Sequence, residues 1–195
     1  DAGEGACREQ GLTALDAKVG ERVLEIGFGT GHALTSLSRA VGQTGRVYGI
    51  ELSQGMLNVA RSRVISAGGG NVALAIDDAR ALCFQNAVFD AVFMSFTLEL
   101  FDLADIPIVL GEVSRVLRPA GRLGVVGMAQ ATPTNAMTEI YEWLHRHFPH
   151  FVDCRPIDVV GSLERAGFQI TGDAAMLIWG LSVACAVGVP RSTRA

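Results

Sequence analysis

Three glycines, Gly27, Gly29 and Gly31, occupy alternate positions directly behind the short apolar run Val23 to Ile26. Glu25 stands at the lip of this turn, and Glu51 follows the next apolar run, Arg46 to Ile50. Such a turn lets the backbone adopt positive φ and come close to a ligand. The full stretch reads GFGTGH, so His32 takes the sixth place, where a dinucleotide fingerprint carries glycine. The acids then decide between ligands. A carboxylate beside a pyrophosphate is repelled, by about 4 kcal/mol for unit charges ~4 Å apart at an effective dielectric of ~20. Beside a ligand that carries an ammonium and a sulfonium, the sign reverses, and S-adenosylmethionine is that ligand. Glu51, about twenty residues beyond the turn, is placed to accept hydrogen bonds from ribose hydroxyls. Asp78, after the third apolar run, is placed to accept from the adenine amino group. The competing readings are a purely structural turn and, for Glu51, a solvated charge at a strand end.

Two further groups could do chemistry. Glu99, in SFTLELF, follows the fourth apolar run, where it would touch an acceptor or take its proton. An acid that favours a helix N-terminus is the alternative. The stretch YEWLHRHFPHFVDCRP gathers His145, His147 and His150 with Asp153 and Cys154. Residues two apart lie on different faces of a helix, and neither HExxH nor a Cys/His pair is present, so no metal is expected. Tyr141, Trp143 and the histidines, His145 among them, are expected to border an acceptor pocket; ordinary core and surface positions are the competing reading. The activated methyl of a sulfonium needs mainly proximity and alignment, which supply about 7–11 kcal/mol. A base helps only when the acceptor has a proton to lose.

These residues need a scaffold that brings strand ends together. Val23 to Ile26, Arg46 to Ile50, Val72 to Ile76, Phe89 to Met94 and Arg122 to Val126 are short β-rich runs, as in strands buried on both faces. Between them run helical stripes: Leu34, Leu37 and Val41; Met56, Ala60 and Val64; and Ile106, Val109, Leu110, Val113 and Leu117 behind Asp105 as N-cap. Met137, Ile140, Tyr141, Leu144 and Phe148 form another. Repeated βα units predict an α/β fold with a doubly wound, mostly parallel sheet. After a helix stopped by Gly167, the runs Phe168 to Thr171 and Met176 to Val187 are separated only by a short turn at Gly172 and Asp173. That is too short for a parallel crossover, so a hairpin with one antiparallel strand is predicted. Ligands of such sheets bind at the carboxyl ends of the strands. The site is therefore expected at Glu25 to Gly31, Glu51 to Ser53, Asp77 to Ala79, Ser95 to Phe101 and Gly127 to Gln130. Phe28, Leu52, Ala79 and Ser95 join the cofactor-binding positions on this basis.

Composition sets the outer limits. The 195 residues suit one domain, and 49% hydrophobic content can fill its core. Sixteen basic and twenty acidic residues leave a net charge of −4 without a basic block, which argues against a nucleic-acid partner. The four cysteines form no CxxC pair and suit a cytoplasmic protein without disulfides. AAMLIWGLSVACAVGV falls short of the ~20 apolar residues of a spanning helix, so no membrane insertion is expected.

The ordered motifs resemble those of class I S-adenosylmethionine-dependent methyltransferases, in the style of the ubiquinone/menaquinone C-methyltransferase group. VLEIGFGTG is similar to the family's first motif, VYGIELS to its acidic second-strand motif, and DDARALCF to its GDAxxLPF stretch. FDAVFMSFTLELF and EVSRVLRPAGRLGVV resemble its fourth strand and the entry to its fifth. Cys83, Ala120 and Asp77 depart from the usual proline, glycine and glycine. The resemblance implies a Rossmann-like seven-stranded sheet with an antiparallel last strand, S-adenosylmethionine as donor and S-adenosylhomocysteine as product. It also implies a covering helical segment before the first strand, expected here to be missing or truncated. The acceptor is expected to be a small, largely apolar molecule, with homodimerisation left open. A non-catalytic adenosine-nucleoside-binding or regulatory protein on the same fold is the alternative, and an oxidoreductase using NAD is disfavoured by Glu25 and His32.

Overall fold

The computed structural model describes residues 2–130, 156–178 and 181–191. Strands β1 (Arg22–Ile26), β2 (Arg46–Glu51), β3 (Val72–Ile76), β4 (Phe89–Ser95), β5 (Leu117–Met128), β6 (Phe168–Ile178) and β7 (Leu181–Pro190) form a seven-stranded sheet. Its order is β3-β2-β1-β4-β5-β7-β6. Strands β1 to β5 pair in parallel, while β7 runs antiparallel to both β5 and β6. The chain order reverses between β1 and β4, which makes their carboxyl ends the place to look for a ligand.

Helices α1 (Ala2–Leu15), α2 (His32–Val41), α3 (Gln54–Ser66), α4 (Ile106–Val116) and α5 (Val159–Arg165) cover the sheet. Alternation along each strand divides the core in two. Leu24, Ile26, Val92, Met94, Leu123 and Val125 pack with Val109, Leu110 and Val113 of α4 and Leu163 of α5. Val23, Ala91, Phe93 and Val126 point the other way, toward Leu15, Leu34, Leu37 and Leu57. Helix α1 lies on this second layer. An added Cβ at its Gly11 would stand 2.2 Å from Val126 Cγ2, and one at Gly3 would stand 2.7 Å from Ile178 Cγ2.

Several expected boundaries move. The hairpin turn falls between Ile178 and Leu181; β6 continues through Gly172 and Asp173, with only a register shift between Ile170 and Gly172. A glycine and an aspartate inside a strand mark a bulge here, not its end. β5 is longer than Arg122 to Val126 because Leu117 already pairs with Phe89. In α3 the buried stripe is Leu57, Ala60 and Val64, and Met56 is turned toward solvent and the cavity. Asp105 sits at the N-cap of α4 without a capping side-chain bond, because its carboxylate takes Arg80 instead. The stripe from Met137 to Phe148 lies outside the described residues.

Candidate active site

At the switch point the chain opens a cavity of about 600 Å³. Of the positions expected from the sequence, Glu25, Gly27, Phe28, Gly29, Glu51, Leu52, Asp78, Ala79 and Ser95 all line it. Gly31 does not; it starts α2 at φ 81°, where a Cβ would stand 2.9 Å from that of Ala60. That glycine lets α2 and α3 approach.

The turn is held by Glu51. Its Oε2 accepts from Gly29 N at 3.0 Å, and its Oε1 accepts from Leu52 N and Ser53 N at 3.0 and 3.1 Å. Gly27 has φ 69°, and a Cβ there would lie 2.3 Å from Thr97 Cγ2, so the turn is pinned to the end of β4. Gly29 has φ 51° and nothing within 4 Å of a notional Cβ, which leaves its backbone open to a ligand.

Glu25 is 2% exposed and sits at the cavity wall, with Oε2 lacking any hydrogen-bond partner. Burial pushes its carboxyl up to about 8; Arg8 opposes that shift and Glu51 adds to it. Buried polar atoms are normally paired; Glu25 lines the cavity, and a cationic ligand group beside it would satisfy this oxygen. Ser95 Oγ and Arg8 Nε, also at the cavity, are likewise buried and without partners. The residues present thus fit a zwitterionic ligand: a carboxylate for an ammonium and a guanidinium for a carboxylate. Sequence spacing gave no sign of Arg8, because only the docking of α1 brings it opposite Glu25. Glu4 of the same helix lines the cavity as well.

Phe96 lies within the expected stretch Ser95 to Phe101, but its backbone strain was hidden. It has φ 52°, a region that bulky residues rarely occupy, and its N–H is held by Val126 O at 2.7 Å. Strain of this kind gathers at functional sites. Phe96 lines the cavity between Ser95 and Thr97.

Asp78 is where it was expected but not free. Arg80 Nε and Nη2 bind its two oxygens at 3.1, 3.1 and 2.7 Å, and Arg80 Nη1 continues to Asp105. Hydrogen bonding to Arg80 holds the Asp78 carboxyl below its ordinary range.

Glu99, in the 3₁₀ turn Leu98–Leu100, is 2% exposed and is not among the described cavity-lining residues. Its Oε1 accepts from Met128 N at 2.8 Å, Oε2 has no partner, and burial pushes its carboxyl to about 7. The carboxylate occupies the space a side chain at position 127 would need: a Cβ on Gly127 would be 3.0 Å from Oε2. Tyr141, Trp143, His145, His147, His150, Asp153 and Cys154 lie outside the described residues, as does Trp179. Among the described residues no group of three or more His, Cys, Asp or Glu side chains could hold a metal ion, and no helix is long and apolar enough to cross a membrane.

Comparison with known proteins agrees with this geometry. Residues 23–121 match the family described as methyltransferase domain. The chain is 36% identical over 121 residues to the ubiquinone/menaquinone biosynthesis C-methyltransferase UbiE of Saccharophagus degradans, covering 62% of this chain and 47% of that protein. It is 34% identical over 125 residues to the demethylmenaquinone methyltransferase of Shouchella clausii, covering 64% and 52%. The chain therefore spans about half the length of these curated relatives. In fold it is similar to a SAM-dependent methyltransferase from Aquifex aeolicus, with TM-score 0.71, 23% identity, and 93% and 89% of the two chains covered. It is also similar to a geranyl diphosphate C-methyltransferase from Streptomyces coelicolor, with TM-score 0.77, 14% identity, and 95% and 80% covered. With the glycine turn, its acidic clamp and the order of the strands all in place, the chain belongs to the methyltransferase-domain family, within the class I S-adenosylmethionine-dependent group that includes the ubiquinone/menaquinone C-methyltransferases.

Proposed function

We propose that this chain transfers the methyl group of S-adenosylmethionine to a small, largely apolar acceptor. One observation carries the donor assignment: the partnerless Glu25 oxygen at a cavity whose other wall is the Glu51-held glycine turn. Glu25 takes the donor's ammonium, Arg8 its carboxylate, and Gly29 lies against the nucleoside. Glu51 takes one or both ribose hydroxyls. Asp78 takes the adenine amino group by giving up one of the four hydrogen bonds that Arg80 makes to its carboxylate. The bound sulfonium supplies an already activated methyl, so the chain's task is to align and shield. Where the acceptor has a proton to lose, Glu99, Tyr141 and His145 are the candidate bases; burial raises the Glu99 carboxyl to about 7, but Glu99 does not line the described cavity, so it would take the proton through an intervening group.

The apolar acceptor class is supported by Phe96, Leu100 and Phe101 at the cavity and by relatives named for quinone biosynthesis. An acidic chain without a basic stripe favours such a molecule over nucleic acid. Calorimetry with S-adenosylhomocysteine and NAD tests the donor half. Tight NAD binding with no response to S-adenosylhomocysteine would overturn it. Transfer from labelled donor to quinol, phenol, thiol and amine acceptors, beside tRNA and protein, tests the acceptor half. Labelling confined to macromolecules would overturn that.

A further inference from the structure

A second cavity, of about 760 Å³, lies at the opposite end of the sheet, where β1 and β2 begin. Arg22, Arg39 and Arg46 line it, together with glycine-containing turns after α2 and α3. Arg22 and Arg46 are register partners on adjacent parallel strands, so two cationic side chains start about 5 Å apart on neighbouring backbones. Like charges directly opposite one another in a sheet are unfavourable unless something bridges them. Arg39 adds a third guanidinium from the last turn of α2.

None of the three has an ion-pair partner among the described residues. The neighbouring acids are committed elsewhere. Asp90 accepts the Arg22 backbone N–H and pairs with Arg118. Glu21 is held by two nitrogens of Arg122, at 2.9 and 2.8 Å. In a chain of net charge −4, three unpaired guanidinium groups around one concave space form a local reversal of sign. Arginine forks match the oxygens of a phosphate group bidentately, and the cavity has the volume of a small-molecule site.

We infer that this distal cavity binds a small, multiply charged phosphate, of the pyrophosphate or nucleoside diphosphate kind, through Arg22, Arg39 and Arg46. The site is separate from the donor cavity and shares no lining residue with it. Attraction from three fixed cations also makes the binding strongly dependent on salt.

The test is titration of the whole chain with inorganic pyrophosphate by calorimetry, at low salt and at moderate salt. Binding at or below about 1 mM is expected, weaker at the higher salt. The double variant Arg39→Gln/Arg46→Gln should bind pyrophosphate at least about tenfold more weakly, a loss of ~1.4 kcal/mol. Its thermal midpoint and its affinity for S-adenosylhomocysteine should be unchanged, because both side chains are exposed and distant from the donor site. The single variant Arg39→Gln, on the exposed end of α2, provides a second reading in an independently folded protein. Silence toward pyrophosphate, or undiminished binding by the double variant, would overturn the inference. So would capture of RNA or of vesicles containing anionic lipid while pyrophosphate gives no heat.

Discussion

A carboxylate offers about four lone-pair positions, and Glu51 already spends three on backbone N–H groups. It is therefore the clamp of the glycine turn and, as the proposed ribose-binding group, has one position left for a hydroxyl unless a backbone bond loosens. Glu51→Ala is expected to weaken S-adenosylhomocysteine binding by about 1.5–3 kcal/mol, the scale of hydrogen bonds to a charged group. An unchanged dissociation constant in calorimetry would show that the ribose is held elsewhere. Glu25 makes a different prediction. With its carboxyl at about 8, it is mostly neutral at pH 7, whereas the ammonium of the ligand favours the ionised form. Binding should thus release a proton near neutrality, and affinity should rise by about tenfold between pH 7 and pH 9 if only the ionised form binds. Calorimetry in buffers of different ionisation enthalpy measures that proton directly; no release at pH 7 would refute the pairing. Both acids were readable from their places at strand ends. Arg8 and the positive φ of Phe96 were not, because each depends on a contact between distant segments: α1 on the sheet, and Phe96 N with Val126 O.

Among the elements, the parallel strands were legible because each is a short apolar run with a turn signal behind it, and burial on both faces leaves little choice of register. The hairpin was legible as a hairpin but not in its turn. Gly172 and Asp173 are turn residues by type, yet β7 pairs straight past them, with Gly172 opposite Val187 and Asp173 opposite Ala186. Long-range pairing overrides local preference there. Helix α1 carried the weakest signal. Its sheet-facing side includes Gly3, Cys7 and Gly11 at four-residue spacing, small residues that let the helix sit close rather than a stripe of large apolar ones. Gly11→Ala tests this packing. In an open helix the change would stabilise by about 1 kcal/mol. Here the new methyl meets Val126 Cγ2 at 2.2 Å and Phe93 at 3.3 Å, and both partners are fully buried. We expect a net loss of about 1–3 kcal/mol in urea unfolding, and weaker donor binding as Arg8 is lifted from its place. Equal or greater stability would mean that α1 does not rest on Val126.

Across the whole molecule, two buried acids give stability an unusual dependence on pH. Glu25 and Glu99 have carboxyls raised to about 8 and about 7, in both cases chiefly by burial. Their ordinary values are near 4.5, so between pH 5 and the raised values the folded chain holds protons that the unfolded chain has released. Stability conferred by such groups is present below the unfolded value and is lost as pH rises through the folded one. At about 1.4 kcal/mol per pH unit, each acid removes on the order of 3 kcal/mol between pH 5 and pH 8. The other described groups do not cancel this. Asp78 and Glu112 are lowered by arginine hydrogen bonds, so they act only in the acid range, and the lowered value of His32 opposes the trend weakly from a largely exposed ring. Urea unfolding should therefore show lower stability at pH 8 than at pH 5.5. Glu99→Gln removes one of the two titrations while keeping an amide of similar size beside Gly127. Against the parent, the variant should gain stability progressively as pH rises from about 5 to about 7, with the difference levelling off above 7. Parallel pH profiles for parent and variant would show that Glu99 is ionised throughout, and would remove it as the neutral-pH proton acceptor of the methyl-transfer reaction.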